Sequence, residues 1–554
     1  MTKRSKKKIW VTDLIGDDFK KWDYKRILLG SGTGRGKTTF SLGVYSKDQL
    51  QRNKSVLYLC NRAKLKKQIR DNINEYGAFG VDCNTYQKLS KMILKGDVIP
   101  EYNVYICDEA HFFLADAEFN LYTDVVYEYI LNRKNATVIF MTATHKNIFA
   151  RIEKDLKKRN EEKPIKYFLP TEYDYVDKIL WFKGQKGSVK GIVDKILRES
   201  PDEKIMYFCN SLTKMQKFYL DYSPDKGKGD DDKYIEDSQL KYMNFMCSNY
   251  DAEEDEDDEE NSDVKKKKKT KANDKNYFIR EHCSDDAIYY DENTGGYTFD
   301  GRVLVTTKVL DNGVDFKDKK IKHIICDVFD IESAIQCLGR KRVIDEDDTC
   351  IFYIRDYQYY EVNLFLKQIK NKLKSPTLFL KDKRSWIKKY GKDRSYKDYT
   401  LYFDFDILND WTINTLRYDK LLHDEQLVTD MKEKVTSYRK EILDYLGDSV
   451  DGKSIDMEDV IAEKQMDSIE IYLKKHVGIK LSKEQQDEFI KLCNIRDRFN
   501  RLQKSIGSIQ QYLLNMNYPY KIYSKRFKEK GKLKTYWIIS EIEKTKKQIV
   551  NKPP

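Results

Sequence analysis

The chain is 554 residues long, enough for three or four domains at roughly 150 residues each, and 40% of it is hydrophobic, 35% charged, with a formal net charge of +12. Ten cysteines stand singly with no CxxC pair and only six histidines occur, which argues against a disulfide scaffold and a four-ligand zinc site. No run approaches the roughly 18 apolar residues of a membrane span, and Asp13, Asp17 and Asp18 interrupt any signal-like stretch after the basic start, so a cytoplasmic chain with no membrane contact and an anionic partner is expected.

In chain order, Tyr24–Leu28 reads as a short strand that runs into the glycine-rich stretch Leu29–Thr39. A strand, a glycine-rich turn and a helix opening with Lys37-Thr38-Thr39 form the context of a phosphate-binding loop. Gly32, Gly34 and Gly36 let backbone N–H groups close on an anion, and Ser31, Thr33 and Arg35 complete the loop. Lys37 is expected to reach the outer phosphates and the Thr38 hydroxyl to ligate Mg²⁺. Three further apolar runs of strand length end in polar residues. Ser55–Cys60 leads to Asn61-Arg62 and a basic helix. Val104–Cys107 leads to Asp108-Glu109-Ala110-His111, and Thr137–Met141 to Thr142-Ala143-Thr144. Alternating strands and helices that deliver polar residues at strand ends predict a parallel α/β sheet with its chemistry along one edge. Asp108 stands where a second Mg²⁺ contact is needed, and Glu109 where a base for water is needed.

A second series begins near residue 176. Lys204–Cys209 runs into Asn210-Ser211, and Arg302–Thr307 leads to Gly313 and Asp315. Ile321–Cys326 precedes a helix carrying Gln336, Gly339, Arg340 and Arg342, and Cys350–Ile354 closes the series. The fold expected is therefore α/β, two parallel-sheet domains in tandem over 1–170 and 171–365. The acidic block Asp251–Glu260 and the lysine run Lys265–Lys269 predict a disordered charged insertion at about 223–276. Residues 366–554 read as a helical, basic C-terminal domain able to recruit protein partners. Within it, a Ser482/Gln485 capping box, a helix over Ser505–Asn515 and two strands at Tyr520–Ser524 and Lys534–Ile539 suggest a winged helix at about 480–545.

Taken together, these motifs resemble superfamily-2 helicases in their DEAH-box form. Ser31–Thr38 is similar to motif I, Asp108–His111 spells the box itself, and Thr142-Ala143-Thr144 is similar to motif III. Thr307, Gly313 and Asp315 resemble motif V, and Gln336, Gly339 and Arg340 motif VI; Asn61-Arg62, Thr85-Tyr86-Gln87 and Asn210-Ser211 resemble motifs Ia, Ib and IV. The resemblance implies two RecA-like domains that clamp ATP and Mg²⁺ between them, with nucleic acid crossing both. It also implies that Thr142 and Thr144 couple the two sites, that His111 and Thr85 lie along the same path, and that motif VI supplies arginine fingers. The pattern usually puts the second arginine three residues after Arg340, at Val343; here it is Arg342. On a helix that is a displacement of about 100°, so either Arg340 acts alone or the local backbone differs.

The leading expectation is an ATP-dependent helicase or translocase on nucleic acid, with DNA favoured over RNA by analogy with winged-helix relatives. Two alternatives stand beside it: an ATPase that remodels or senses nucleic acid without unwinding it, as restriction or phage-defence subunits do, and an ATP-gated anchor that recruits partners.

Overall fold

Short runs that are apolar on both faces are the signature of buried parallel strands, and six of them build the first sheet. They are β1 (Arg26–Ser31), β2 (Val56–Cys60), β3 (Val81–Thr85), β4 (Val104–Cys107), β5 (Thr137–Thr142) and β6 (Ile165–Leu169). The sheet order is β3-β2-β4-β5-β1-β6 and every pairing is parallel. Alternate residues point to opposite faces. Leu28, Tyr105, Val138 and Phe140 pack on one side, and Ile27, Leu29, Ile106, Ile139 and Met141 on the other. Each such side chain contributes roughly 1.5–3 kcal/mol by leaving water. All five crossovers bring the strand ends Ser31, Cys60, Thr85, Cys107 and Thr142 to the same edge.

The computed structural model describes residues 9–542 apart from 33, 116, 118–119, 121, 185–187, 224–238, 248–274, 308–313, 392–397, 399, 405–408, 497–500, 517 and 530–531. The second sheet is formed by β7 (Val176–Lys183), β8 (Lys204–Cys209) and β9 (Met243–Met246), followed after the small hairpin β10 (Tyr289–Asp291) and β11 (Gly296–Thr298) by β12 (Val303–Thr306), β13 (Ile321–Asp327) and β14 (Cys350–Asp356). Six of its seven strands run in the order β7-β14-β13-β8-β12-β9, and every pairing among these six is parallel. The expected two-domain α/β architecture is therefore present. The insertion expected at about 223–276 lies mostly outside the described residues. The part that is described departs from it: β9 is an edge strand of the sheet, with Phe245 and Met246 buried. Four residues flanked by charge give too short a pattern to register in the sequence.

One compact unit runs to Ser454 and a second begins at Ile455. Helices Tyr359–Lys381, Thr415–Lys432 and Tyr438–Leu446 belong to the first unit. Leu416 enters the core of the first sheet, whereas Val428, Met431, Tyr438 and Ile442 enter that of the second. A single helix thus has its two ends in two different cores, so it braces one sheet domain against the other.

The second unit holds helices Met457–His476, Lys483–Cys493 and Ile506–Asn515 and a long hairpin, Tyr520–Glu529 with Lys532–Glu541. Ser482 Oγ accepts from the Gln485 N–H at 3.3 Å and Gln485 Oε1 accepts from the Ser482 N–H at 2.8 Å, a reciprocal cap that contributes about 1 kcal/mol. Leu473, Phe489, Ile509, Leu513, Ile522 and Ile539 form its core.

Candidate active site

The loop after β1 is built around two glycines in left-handed conformation, Gly34 at φ +69° and Gly36 at φ +84°, where a side chain would be strained. Gly32 is needed for a different reason. Its N–H donates to Leu169 O at 2.9 Å, and a Cβ on it would lie 1.9 Å from Thr171 Oγ1. The segment after β6 therefore presses directly on the loop. Arg35 was expected to help hold nucleotide, but its guanidinium is buried against Glu172 (2.8 Å) and donates to Pro170 O (3.2 Å), so it ties the loop to that segment instead. Thr33 lies outside the described residues.

Lys37 donates to Ser31 O (2.8 Å) and Gly32 O (3.2 Å), inside the curve of the loop. Burial lowers its ammonium, while Glu109 and Asp108 work to keep it charged. Thr38 and Thr39 stand in the first turn of the following helix, with Thr39 Oγ1 3.0 Å from Tyr76 Oη. Ser31 Oγ is buried with no hydrogen-bond partner among the described residues.

Asp108 follows β4 and is fixed on several sides. Tyr58 Oη donates to its Oδ2 and Tyr86 Oη to its carbonyl, each at 2.8 Å, and the Glu109 N–H donates to Oδ1 at 3.0 Å. Burial, with Glu109 beside it, pushes Asp108 up to about 6. Glu109 has φ +50°, a strained backbone for a non-glycine residue that costs on the order of 1–3 kcal/mol. Burial works against its ionisation, but His111, Lys37 and Arg340 outweigh that and hold it well below the usual carboxylate range. Two neighbouring carboxylates are thus driven apart. Tyr58 carries no motif signal, and Tyr86, although it lies within Thr85-Tyr86-Gln87, meets Asp108 only through the fold.

From Glu109 a line of contacts crosses between the domains. His111 Nδ1 lies 3.3 Å from Glu109 Oε2 and 3.0 Å from Thr142 Oγ1. Thr142 Oγ1 accepts from the Thr144 N–H at 3.2 Å. Thr144 Oγ1 accepts from Gln336 Nε2 of the second domain at 3.1 Å. Beside it Asn147 Nδ2 donates to Glu332 Oε1 at 2.9 Å, a pair that the motifs do not announce.

The helix bearing Gln336 ends at Leu338 and is capped by Gly339. Arg340 therefore lies in the turn that closes it, its N–H donating to Cys337 O at 3.3 Å, and Arg342 lies beyond, its N–H donating to Phe316 O at 2.8 Å. The displacement of about 100° expected for a helix does not apply. The Arg342 guanidinium comes within 3.9 Å of where a Cβ on Gly34 would stand, so it faces the phosphate loop. It is held by Asp315 Oδ1 (2.7 Å) and Gly339 O (2.9 Å), while its buried Nε has no partner among the described residues. Burial would lower it, but Asp315 raises it further. Arg340 is more enclosed: it donates to Gln336 O (3.1 Å) and Val314 O (3.4 Å) and reaches Asp315 only at 4.0 Å.

The structure thus brings together Lys37, Asp108, Glu109, His111, Thr142, Thr144, Asp315, Gln336, Arg340 and Arg342. The remaining expected residues lie along the same edges with local roles. Thr85 caps the helix Tyr86–Lys95 and Ser211 caps Leu212–Tyr222. Gln87 Nε2 donates to Asn61 O at 2.9 Å, and Arg62 opens the helix Ala63–Glu75. Asn210 Oδ1 accepts from the Phe329 N–H at 3.4 Å, and Thr307 O accepts from Thr306 Oγ1 at 3.2 Å. Gly313 is outside the described residues.

The residues fit a nucleoside triphosphate with its metal. Three cations (Lys37, Arg340, Arg342) and an empty-handed Ser31 surround a glycine cradle that a Cβ would obstruct. Among the described residues no cluster of three or more His, Cys, Asp or Glu could hold a metal by itself; a Mg²⁺ bound mainly by phosphate oxygens and water, with few protein ligands, matches that.

Two parallel-sheet domains in tandem, the first with a glycine-rich loop after its first strand, define a tandem RecA-like α/β fold. Residues 3–147 match the family described as Type III restriction enzyme, res subunit, over part of the chain. Among solved structures the chain is similar to S. cerevisiae Dbp5 bound to RNA and ADP BeF3, at 12% identity and TM-score 0.40, covering 62% of this chain and 83% of that one. A single-substitution form of the same complex gives 12% identity, TM-score 0.41 and the same coverage. Comparison with curated proteins found no match.

Proposed function

We propose that this chain is an ATP-dependent nucleic-acid helicase or translocase of the DEAH-box form, with DNA favoured over RNA. One observation supports it above the others: the contacts Glu109–His111–Thr142–Thr144–Gln336 join a candidate base to the second domain. A simple nucleotide-binding loop has no need of such a line. In this reading Lys37 leaves the loop carbonyls for the outer phosphates. Mg²⁺, held by Thr38 and Asp108, would neutralise charge between those phosphates. Glu109, kept ionised by its neighbours, accepts the proton of the attacking water. Arg342, with Arg340 behind it, stabilises the charge that develops on the γ-phosphoryl oxygens, an effect worth about 10³–10⁵ in rate for a well-placed guanidinium. Because Thr144 and Gln336 sit on different domains, any closure that brings Arg342 onto the nucleotide also loads their hydrogen bond.

Asn61, Arg62, Thr85, Asn210, Ser211 and Thr307 are proposed to line the nucleic-acid path along the strand ends. The order helix, helix, basic hairpin in the second unit suits a winged helix that touches phosphates, which tilts the reading towards DNA. The remodelling alternative, hydrolysis without unwinding, is favoured by the restriction-subunit description of the matched family. Displacement of a labelled strand from a tailed duplex decides between them: ATP-dependent release supports a helicase, and steady hydrolysis with no release supports a remodeller.

A further inference from the structure

The hairpin Tyr520–Glu529/Lys532–Glu541 is longer than its core requires. Directly paired residues share a face, and the register pairs Tyr523 with Ile538, Lys525 with Tyr536, Phe527 with Lys534 and Glu529 with Lys532. The neighbouring strand Lys480–Leu481 pairs Lys480 with Ile538, so Lys480 joins that face. The opposite face carries Tyr520, Ile522 and Ile539 into the core, where Tyr523, Phe527 and Tyr536 take no part. These three rings alternate with lysines beyond the buried Ile538, with Tyr523 exposed and Phe527 and Tyr536 half-buried. Tyr523 is 40% exposed, and Lys525, Lys532 and Lys534 are exposed. Lys480 Nζ stands 4.0 Å from the Phe527 ring centroid and 5.7 Å from that of Tyr536, and the two rings lie 6.0 Å apart, edge to face.

Five cations (Lys480, Lys521, Lys525, Lys532, Lys534) share this face with one carboxylate, Glu529. That carboxylate accepts from Tyr536 Oη at 2.7 Å and lies 3.7 Å from Lys480 and 3.8 Å from Lys534. The face keeps a clear positive excess. Lysines alone would suit any polyanion. Rings set between them, with no core to fill, suit flat π-faces strung on a phosphate chain.

We propose that this face binds single-stranded nucleic acid, stacking bases on Tyr523, Phe527 and Tyr536 while the lysines neutralise phosphates, as a contact separate from the path along the strand ends. The proposal rests on the reading of the chain as a nucleic-acid-dependent motor, and binding and hydrolysis are measured separately so that each can fail alone.

The test is fluorescence anisotropy of the full chain with labelled (dT)15, (rU)15 and a 15-base-pair blunt duplex over a salt series. Tyr523→Leu with Phe527→Leu keeps apolar bulk and removes the rings; single-strand affinity should fall about tenfold or more with the salt slope unchanged. Lys525→Gln with Lys534→Gln should instead reduce the slope by about 1.4. Tighter binding of (dT)15 or of (rU)15 identifies the sugar. Leucine variants that bind single strands within twofold of wild type, wild-type preference for duplex, or no single-strand binding would each overturn the proposal. Intact single-strand binding that falls with the leucine variants, but with ATP hydrolysis unaffected by nucleic acid, would count against the motor reading alone.

Discussion

Gln336 donates its side-chain amide to Thr144 Oγ1 at 3.1 Å, and both residues are buried. The bond ends a line that begins at Glu109, so the base proposed for hydrolysis and the second domain share one line of contacts. Breaking it should uncouple the sites without emptying them. Gln336→Ala leaves Thr144 Oγ1 buried without this donor, a loss of about 1–3 kcal/mol. Stimulation of hydrolysis by nucleic acid should fall roughly 5–150-fold on that scale, while ATP binding in its absence stays at the wild-type level. Equilibrium nucleotide titration and stimulated turnover, measured side by side, check both halves.

Arg342 faces the loop and Arg340 lies behind it, which reverses the order that motif spacing suggests. Arg342→Ala should therefore cost about 10³ or more in kcat with little change in the affinity for ATP. Arg340→Ala removes donors to Gln336 O and Val314 O and should lower thermal stability as well as turnover. Single-turnover hydrolysis and a melting curve on each variant separate the two roles.

Much of this site was legible as sequence because its residues follow short apolar runs. Val104–Cys107 can only be a strand, so Asp108 and Glu109 had to emerge at a sheet edge, and the same logic placed Thr142 and Lys37. What was not legible depended on where chain direction changes. The helix before Arg340 stops at Gly339, and nothing in Leu338-Gly339-Arg340-Lys341-Arg342 fixes that end more firmly than a kink would. Tyr58 reaches Asp108 from the neighbouring strand with no local pattern to mark it, and the Thr85-Tyr86-Gln87 stretch does not announce that Tyr86 reaches Asp108 too. The brace escaped for a related reason: the division of Thr415–Lys432 between two cores is a property of the assembled domains.

Glu332 supplies a pH test. It is buried, with Asn147 as donor, Lys420 and His111 favouring its charge and Asp330 and Asp424 opposing it; burial dominates and pushes it up to about 7. A carboxyl raised in the folded state stabilises fully below its unfolded value near 4.5, and that contribution is lost as pH rises through about 7. Thermal stability of the wild type should decline between about pH 4.5 and 7 and level off above that. Glu332→Gln keeps an acceptor for Asn147 and should flatten that part of the curve, a difference on the order of 1–3 kcal/mol at pH 8. Parallel melting curves from pH 5 to 8.5 check it.

The brace is held to the first sheet domain by Arg151, which donates to Asp419 Oδ2 (2.6 Å) and Thr415 Oγ1 (3.2 Å), and by Asn414, which donates to Thr123 Oγ1 (3.0 Å). Lys420 holds it to the second through Asp330 (2.9 Å), beside the His423–Asn147 contact. Asp419→Ala removes one end of the Arg151 pair and should destabilise by about 1–3 kcal/mol. Freed domains should also exchange nucleotide faster. Release of a fluorescent ADP analogue by stopped flow is the measurement, with a faster rate in the variant than in the wild type as the expected result.

The central claim is that nucleic acid drives hydrolysis at the loop of Lys37 through Glu109. Turnover of ATP measured with single-stranded DNA, duplex DNA, single-stranded RNA and no polymer tests it most directly, with Lys37→Ala and Glu109→Gln alongside. Stimulation by at least one polymer, greatest with DNA, is expected, with a loss of about 10²–10⁴ in Glu109→Gln and ATP still bound. Turnover that no polymer changes, or that survives in Glu109→Gln, would contradict it.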